Sequence, residues 1–300
     1  MSEVQAKMSL ANKTEYKKRR MKRRINLMIR YAILIFFAII MLYPIFWLVG
    51  ATFKTNSEIW TEVKFWPNRI NFKAYVDGWN TKTGYTFGVY LINTFKIVIP
   101  KVLFSIVSCT ITAYGFSRFN FKFKKPLFAA LISTLFLPQV VLRIPMYIGW
   151  TKVGVVDSYI PLVLPSLFAV ETFFVFMLIQ FFRGIPKELD EAATVDGCNS
   201  FMILVKILVP MLKPAIISVA LFQFMWSMND FMGPLIYVSS VDKYPVSIAL
   251  RTAIDSSGGS DFNWNQVLAM SFITILPSIL VFFAAQKHFV EGISTGAVKG

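Results

Sequence analysis

Glu191-Ala192-Ala193-Thr194-Val195-Asp196-Gly197, followed downstream by Ile207-Leu208-Val209-Pro210, is the stretch that decides how this chain is read. It lies between two long apolar segments, yet it is too polar to cross a bilayer. Its acidic, alanine-rich start predicts a short helix. Pro186 fits the first helical turn, and Glu188, Asp190 and Glu191 sit where the helix dipole favours carboxylates. The two alanines make a smooth face that another surface can approach closely. Gly197 can take a positive φ and turn the chain, so a second short helix should leave at a new angle. Pro210 and Pro214 then mark the approach to the next apolar segment. The expected form is a helix–turn–helix lying along a membrane face and offered to a partner.

The flanks set the class. Of 300 residues, 56% are hydrophobic and 16% are charged, which is too apolar for a soluble domain of this size. A bilayer crossing needs roughly 20 mostly apolar residues, and backbone groups in lipid must bond within their own helix. Six segments fit. They are residues 30–51, 88–115, 126–148, 158–181, 207–229 and 264–286. The expectation is an all-α integral membrane protein with six transmembrane helices and a polar helical stretch at about 183–206. A basic tail (1–29) precedes this 30–286 domain, and a short tail (287–300) follows it.

The net charge of +15 raises the question of nucleic acid, but its distribution answers differently. Lys17-Lys18-Arg19-Arg20-Met21-Lys22-Arg23-Arg24 directly precedes the first apolar run, where the positive-inside rule places cytoplasmic charge. Arg118, Lys122, Lys124 and Lys125 form a second basic loop. An even number of crossings puts both termini on one side, the cytoplasmic one, with membrane lipid as the surrounding partner and no nucleic acid. The run Tyr31–Val49 is long for a signal peptide, and no small-x-small cleavage site follows it. Cys109 and Cys198 fall at different predicted depths, and no metal-ligand spacing occurs, so neither metal nor cofactor is expected. Span two carries Lys96 and Lys101, which are costly in lipid unless they snorkel or face protein.

The spacing of Glu191, Ala192, Ala193, Gly197, Ile207 and Pro210 resembles the cytoplasmic EAA motif of binding-protein-dependent ABC importer permeases, with Val209 where the family has leucine. Ile185-Pro186-Lys187-Glu188-Leu189, Asp196-Gly197 and the terminal Gly292-Ile293-Ser294-Thr295-Gly296-Ala297-Val298-Lys299-Gly300 are also similar to this family, in its carbohydrate-uptake branch. The Asn93-Thr94 pair and the Ala113-Tyr114 pair of span two add to the likeness.

The resemblance implies that the stretch forms coupling helices seated in a cytoplasmic ATPase. Glu191 would pair with a basic residue of that ATPase, and Gly197 would make the bend. It further implies a second related permease subunit, two ATPase subunits, an extracytoplasmic solute-binding protein and a sugar substrate at a bacterial cytoplasmic membrane. No G-x-x-x-x-G-K-[ST] loop occurs in the sequence, so ATP hydrolysis is expected in a partner and this chain is not expected to be an enzyme. An ion-coupled secondary transporter acting without an ATPase is the alternative.

For the substrate path, Glu171 sits near mid-depth in span four. Gln223, Trp226, Ser227 and Asn229 cluster, with Asp230, toward the outer half of span five. Amides bond sugar hydroxyls and an aromatic ring stacks on CH faces, but helix packing by the same polar side chains accounts for the span-five cluster at least as well. Gly292-Ile293-Ser294-Thr295-Gly296 also matches the G-x-S-x-G nucleophile elbow. The strand that an elbow needs before it is lacking, and the only histidine, His288, stands at the end of span six.

Overall fold

The computed structural model describes residues 2–62, 64–255 and 263–297. The chain divides into two compact units, residues 1–72 and 73–300. Among the described residues there is no strand, only an isolated bridge between Asn80 and Thr86.

The first unit is dominated by α1 (Ser2–Thr52), which carries the basic run and the first apolar segment in one continuous helix. Side chains from Tyr31 to Phe46 are largely exposed, as lipid-facing residues of a span should be. After α1 the chain folds back on itself. A virtual Cβ on Gly50 would stand 2.6 Å from the Phe65 carbonyl oxygen, so only glycine lets the returning backbone come that close. Thr55 and Glu58 form a capping box at the start of α2 (Asn56–Thr61).

The second unit begins with α3 (Lys73–Trp79) and continues with α4 (Phe87–Arg118), the longest helix of its centre. Then come α5 (Lys124–Thr134), α6 (Gln139–Val153), α7 (Ile160–Val163) and α8 (Thr172–Arg183). The polar stretch contributes α9 (Glu188–Val195), α10 (Ser200–Met202) and α11 (Val209–Met211). It leads into α12 (Lys213–Met228), α13 (Met232–Tyr237), α14 (Val246–Asp255) and α15 (Trp264–Ala297). Helix α4 is the axis: α12 and α8 pack along it, and α15 packs on α12. The core between them is built from Phe174, Leu178, Ile179 and Phe182 of α8 against Cys109, Ala113 and Tyr114 of α4. Small residues on α4 let the neighbouring backbones approach.

Among the described residues, four helical segments are long and apolar enough to cross a membrane, and a fifth qualifies if a bent pair counts as one span. These correspond to expected spans one, two, four, six and, as the bent pair, five. Expected span three, residues 126–148, is not continuous. It is split into α5 and α6, neither long enough to cross alone. The break falls at Leu135–Pro138. Pro138 has no N–H to donate and disfavours helical geometry in the residue before it.

Span four is also broken. A short 3₁₀ turn (Leu164–Phe168) ends at Ala169, whose φ of 52° is left-handed, and α8 starts only at Thr172. Span five starts later than expected, at Lys213, because Ser200–Met211 is bent 79° from α12. Ile207 and Pro210 therefore belong to the approach segment rather than to the span. Residues 256–262 lie outside the described residues, as do residues 298–300 of the terminal tail.

Candidate functional site

Helix α9 has two distinct faces. Glu188, Glu191, Ala192 and Val195 follow the i, i+3, i+4, i+7 spacing of one helical stripe, and all four are exposed. Val195 is 89% exposed, and Phe201, just past the turn, is 70% exposed. Ala193 points the other way and is buried in the core with Ile185, Leu204 and Leu208. Pro186 precedes the helix rather than opening it, with Lys187 at the N-cap.

The glycine does what its position predicts. Gly197 has φ of +85°, and its N–H donates to the Thr194 carbonyl at 3.0 Å. The Cys198 N–H donates to the Ala193 carbonyl at 2.9 Å. This pair of bonds is a Schellman ending, which satisfies the last carbonyls of α9 and reverses the chain. Asp196 is the C-cap residue and is exposed. Asn199 then caps α10, its Oδ1 accepting from the Met202 N–H at 2.8 Å.

Beyond α10, Ile203–Leu208 is a π-helical turn. Pro210 lacks an N–H, and its ring crowds the carbonyl of the preceding turn. The wider π-turn relieves that crowding at the cost of poorer local geometry. Ile207 lies within it, partly buried against the core.

The C-terminal end of α4 grips this stretch at three points. The Arg118 guanidinium donates to the Ile185 carbonyl at 3.0 Å, and its Nε stands 2.7 Å from Asp190 Oδ2. The Tyr114 hydroxyl donates to the Ser200 carbonyl at 3.0 Å. The ion pair is largely sealed, with side-chain exposures of 6% for Arg118 and 19% for Asp190. Asp190 Oδ1 is buried without a hydrogen-bond partner. Burial pushes the Asp190 carboxyl above the ordinary carboxylate range, outweighing the attraction of Arg118. Arg118 reads in sequence as part of a basic loop. In the structure it is a buried anchor.

The path candidates split into a buried set and an exposed set. Glu171 sits half-buried at the break before α8, at the N-cap position of that helix. Gln223 is 1% exposed, its Nε2 reaches Ser227 Oγ at 3.4 Å, and its Oε1 has no partner. Trp226 is 47% exposed and stacks on Phe174 at 4.9 Å, with Phe173 and Phe222 alongside. Asn229 stands apart, its amide donating to the Met225 carbonyl of its own helix at 2.8 Å. Lys101 faces Asp230 at 3.9 Å, so this span-two lysine faces protein.

The family profile described as "Binding-protein-dependent transport system inner membrane component" matches residues 105–295, which include every residue of the α9 site. The chain belongs to this family. The permease is 30% identical to the polygalacturonan/rhamnogalacturonan transport system permease protein YtcP of Bacillus subtilis, over 93% of its own length and 100% of the relative's. It is 29% identical to the arabinooligosaccharides transport system permease protein AraQ of Halalkalibacterium halodurans, covering 88% of this chain and 94% of that one. A crystal structure of a bacterial ABC transporter involved in the import of the acidic polysaccharide alginate contains a chain with the same fold. The TM-score is 0.77 at 23% identity, covering 89% of the permease and 97% of that chain. Proteins of this kind are transporter subunits of the inner membrane and not themselves enzymes.

Sequence reasoning missed the partners of Arg118 and Lys101, and of Asp157, whose carboxylate pairs with Lys243 at 2.8 Å. The first two were read as topology and lipid-depth signals, because a single sequence does not reveal which carboxylate lies opposite a cation.

Proposed function

We propose that the permease carries a saccharide, an oligosaccharide by the printed substrates of its relatives, across the cytoplasmic membrane of a bacterium. ATP hydrolysis in separate cytoplasmic ATPase subunits supplies the free energy. In this reading α9, its Schellman turn and α10 are the coupling element. Glu191 meets a basic residue of the ATPase, Ala192 lets the partner approach closely, and Ala193 seats the helix on the core. Asp196 and Gly197 set the turn, while Ile207 and Pro210 carry the motion toward α12. The working assembly holds this permease, a second related permease subunit, two ATPase subunits and an extracytoplasmic solute-binding protein. Both termini lie in the cytoplasm, and the 30–286 domain spans the membrane between the two tails.

One observation carries the reading. A polar helix–turn–helix with an outward acid–alanine–valine stripe on its first helix is fastened from behind to the end of a membrane helix, by Arg118 to α9 and by Tyr114 to α10. A push on the outward face is thereby delivered to α4 and, through the bent approach, to α12. Such a push biases a two-state membrane domain between access to one side and access to the other. The break at Glu171, the buried Gln223 and Ser227, and the exposed Trp226 platform are the substrate-path candidates, with Asn229 at their edge.

The test is uptake of a labelled oligosaccharide by vesicles containing the assembled transporter and the solute-binding protein. ATP inside the cytoplasmic compartment should drive uptake. Uptake driven by an ion gradient with no nucleotide would instead establish the secondary-carrier alternative, which the family does not favour.

A further inference from the structure

A cavity of about 350 Å³ opens at the end of α4 remote from α9, enclosed by α3, the start of α4, α14 and the start of α15. Its lining at Phe87 and Tyr90 is 24 or more residues along α4 from the Tyr114 and Arg118 anchors. At about 1.5 Å per residue that is roughly 40 Å away. It shares no lining residue with the Glu171, Gln223 and Trp226 candidates. The volume falls at the lower end of small-ligand sites, about 300–1,000 Å³.

The chemistry of the lining is specific. The base holds the rings of Phe87, Tyr90 and Tyr244, with Phe87 and Tyr90 almost wholly buried. The walls hold Asp77, Lys82 and Gln266, none of which has a side-chain partner among the described residues. A ligand of one charge would match Asp77 or Lys82 and leave the other facing it unfavourably. A neutral polyol matches both, because each hydroxyl can donate to a carboxylate and accept from an ammonium. The CH face of a pyranose or furanose ring can cover the half-buried Tyr244 ring in the same way that apolar ligand surface does.

We propose that this cavity is a saccharide-binding site on the permease itself, outside the membrane path, which takes one or two neutral sugar residues at the face where the solute-binding protein delivers its cargo. The proposal rests on the saccharide-import reading above. It adds a holding site that the chain contributes before substrate enters the bundle.

The experiment uses the complete permease–ATPase assembly in lipid nanodiscs, with the solute-binding protein left out. Arabinobiose, galactobiose and glycine betaine are the probes, and saturation-transfer NMR with isothermal titration measures binding. At least one disaccharide should bind. Lys82→Ala and Gln266→Ala, both polar wall changes that leave the buried floor intact, should each weaken it about tenfold, the loss of a charge-assisted or buried hydrogen bond. Trp226→Ala should leave this binding in place.

Equal disaccharide affinity in wild type and both wall variants overturns the proposal. So does binding of betaine without either sugar. So does the absence of binding by either disaccharide, and if the wall variants then weaken docking once the solute-binding protein is added back, the cavity is a protein contact. If cells expressing the wild-type transporter import no saccharide, the import reading itself fails. Loss of this site with import intact defeats only the present inference.

Discussion

The two ends of α4 are held by opposite kinds of electrostatics. At its start, the loop 237–246 is tied down by a dense and partly exposed network. Asp157, at a left-handed φ of 62°, accepts from the Ser239 and Ser240 N–H groups at 2.9 and 2.8 Å, from the Ser240 hydroxyl at 2.5 Å and from Lys243 Nζ at 2.8 Å. Asn93 of α4 donates to the Asp242 carbonyl at 2.7 Å, and Thr94 accepts from the Val246 N–H at 3.0 Å. The bonds from Lys243, Ser240 and Ser239 hold the Asp157 carboxyl well below the usual carboxylate range, and the bond to Asp157 pushes Lys243 up. At the other end, a single sealed pair of Arg118 and Asp190 holds α9, and Asp190 is pushed the opposite way by burial.

The contrast teaches where rigidity and where movement are built in. The Asp157 network gives its carboxylate four donors while leaving it partly exposed, so it is a stable clasp. The Arg118–Asp190 pair gains Coulomb energy against a desolvation cost and leaves one oxygen unmatched, so it locates more than it stabilises. A clasp suits the face that must stay fixed. A locating pair suits an element that is to transmit displacement.

The largest effect should come from Gly197→Pro. Proline holds φ near −65° and has no N–H for Thr194, so the Schellman ending is lost and uptake should vanish while the chain remains in the membrane fraction. Gly197→Ala sharpens the point. No atom lies within 4 Å of a Cβ there, so the only cost is the left-handed backbone, about 1–2 kcal/mol, and reduced but measurable uptake is expected. Equal loss in both variants would show that the glycine serves close packing, not the turn.

Next in size is Arg118→Met, which strands Asp190 with little water. Breaking a buried pair costs about 3 kcal/mol at the low end, and the residual exposure of Asp190 places it there. Uptake per ATP hydrolysed should fall severalfold. The double change Arg118→Met with Asp190→Leu should recover fold stability but not the ratio, because the locating contact remains absent. Full recovery of the ratio would make the pair a mere space filler.

A smaller effect separates the two ends by pH. Asp157 titrates below its ordinary 3.8, so the stability it contributes is complete above that value and is lost only as pH falls through its lower folded pKa. Asp190 titrates above 3.8, so it takes up a proton first, and that protonation releases Arg118 without weakening the fold. On acidification the uptake-to-hydrolysis ratio should therefore decline before the thermal unfolding midpoint does. Asp157→Asn should lower that midpoint by a few degrees at neutral pH with the ratio little changed. A parallel decline of ratio and midpoint would erase the distinction.

Much of this was open to reading from residues alone. The apolar segments, the acidic start of α9 and the Gly197 turn are local signals, and each maps onto a local cause. The breaks in spans three and four were hidden because apolar character continues straight through Leu135–Phe136 and Leu167–Phe168, and hydropathy is blind to a proline or to a left-handed Ala169. The π-turn at Ile203–Leu208 was likewise invisible, since it follows from how Pro210 meets the turn before it. The pairs Arg118–Asp190, Lys101–Asp230 and Asp157–Lys243 join distant parts of the chain, and only the packing of α4 against its neighbours decides them.

The outward face of α9 carries the central claim, and Glu191→Lys tests it with the least disturbance, because that side chain is exposed. In vesicles bearing the assembled transporter, ATP hydrolysis and saccharide uptake are measured together. Continued hydrolysis with uptake abolished is the predicted result. Uptake equal to wild type would contradict the assignment of this helix as the link between nucleotide and transport.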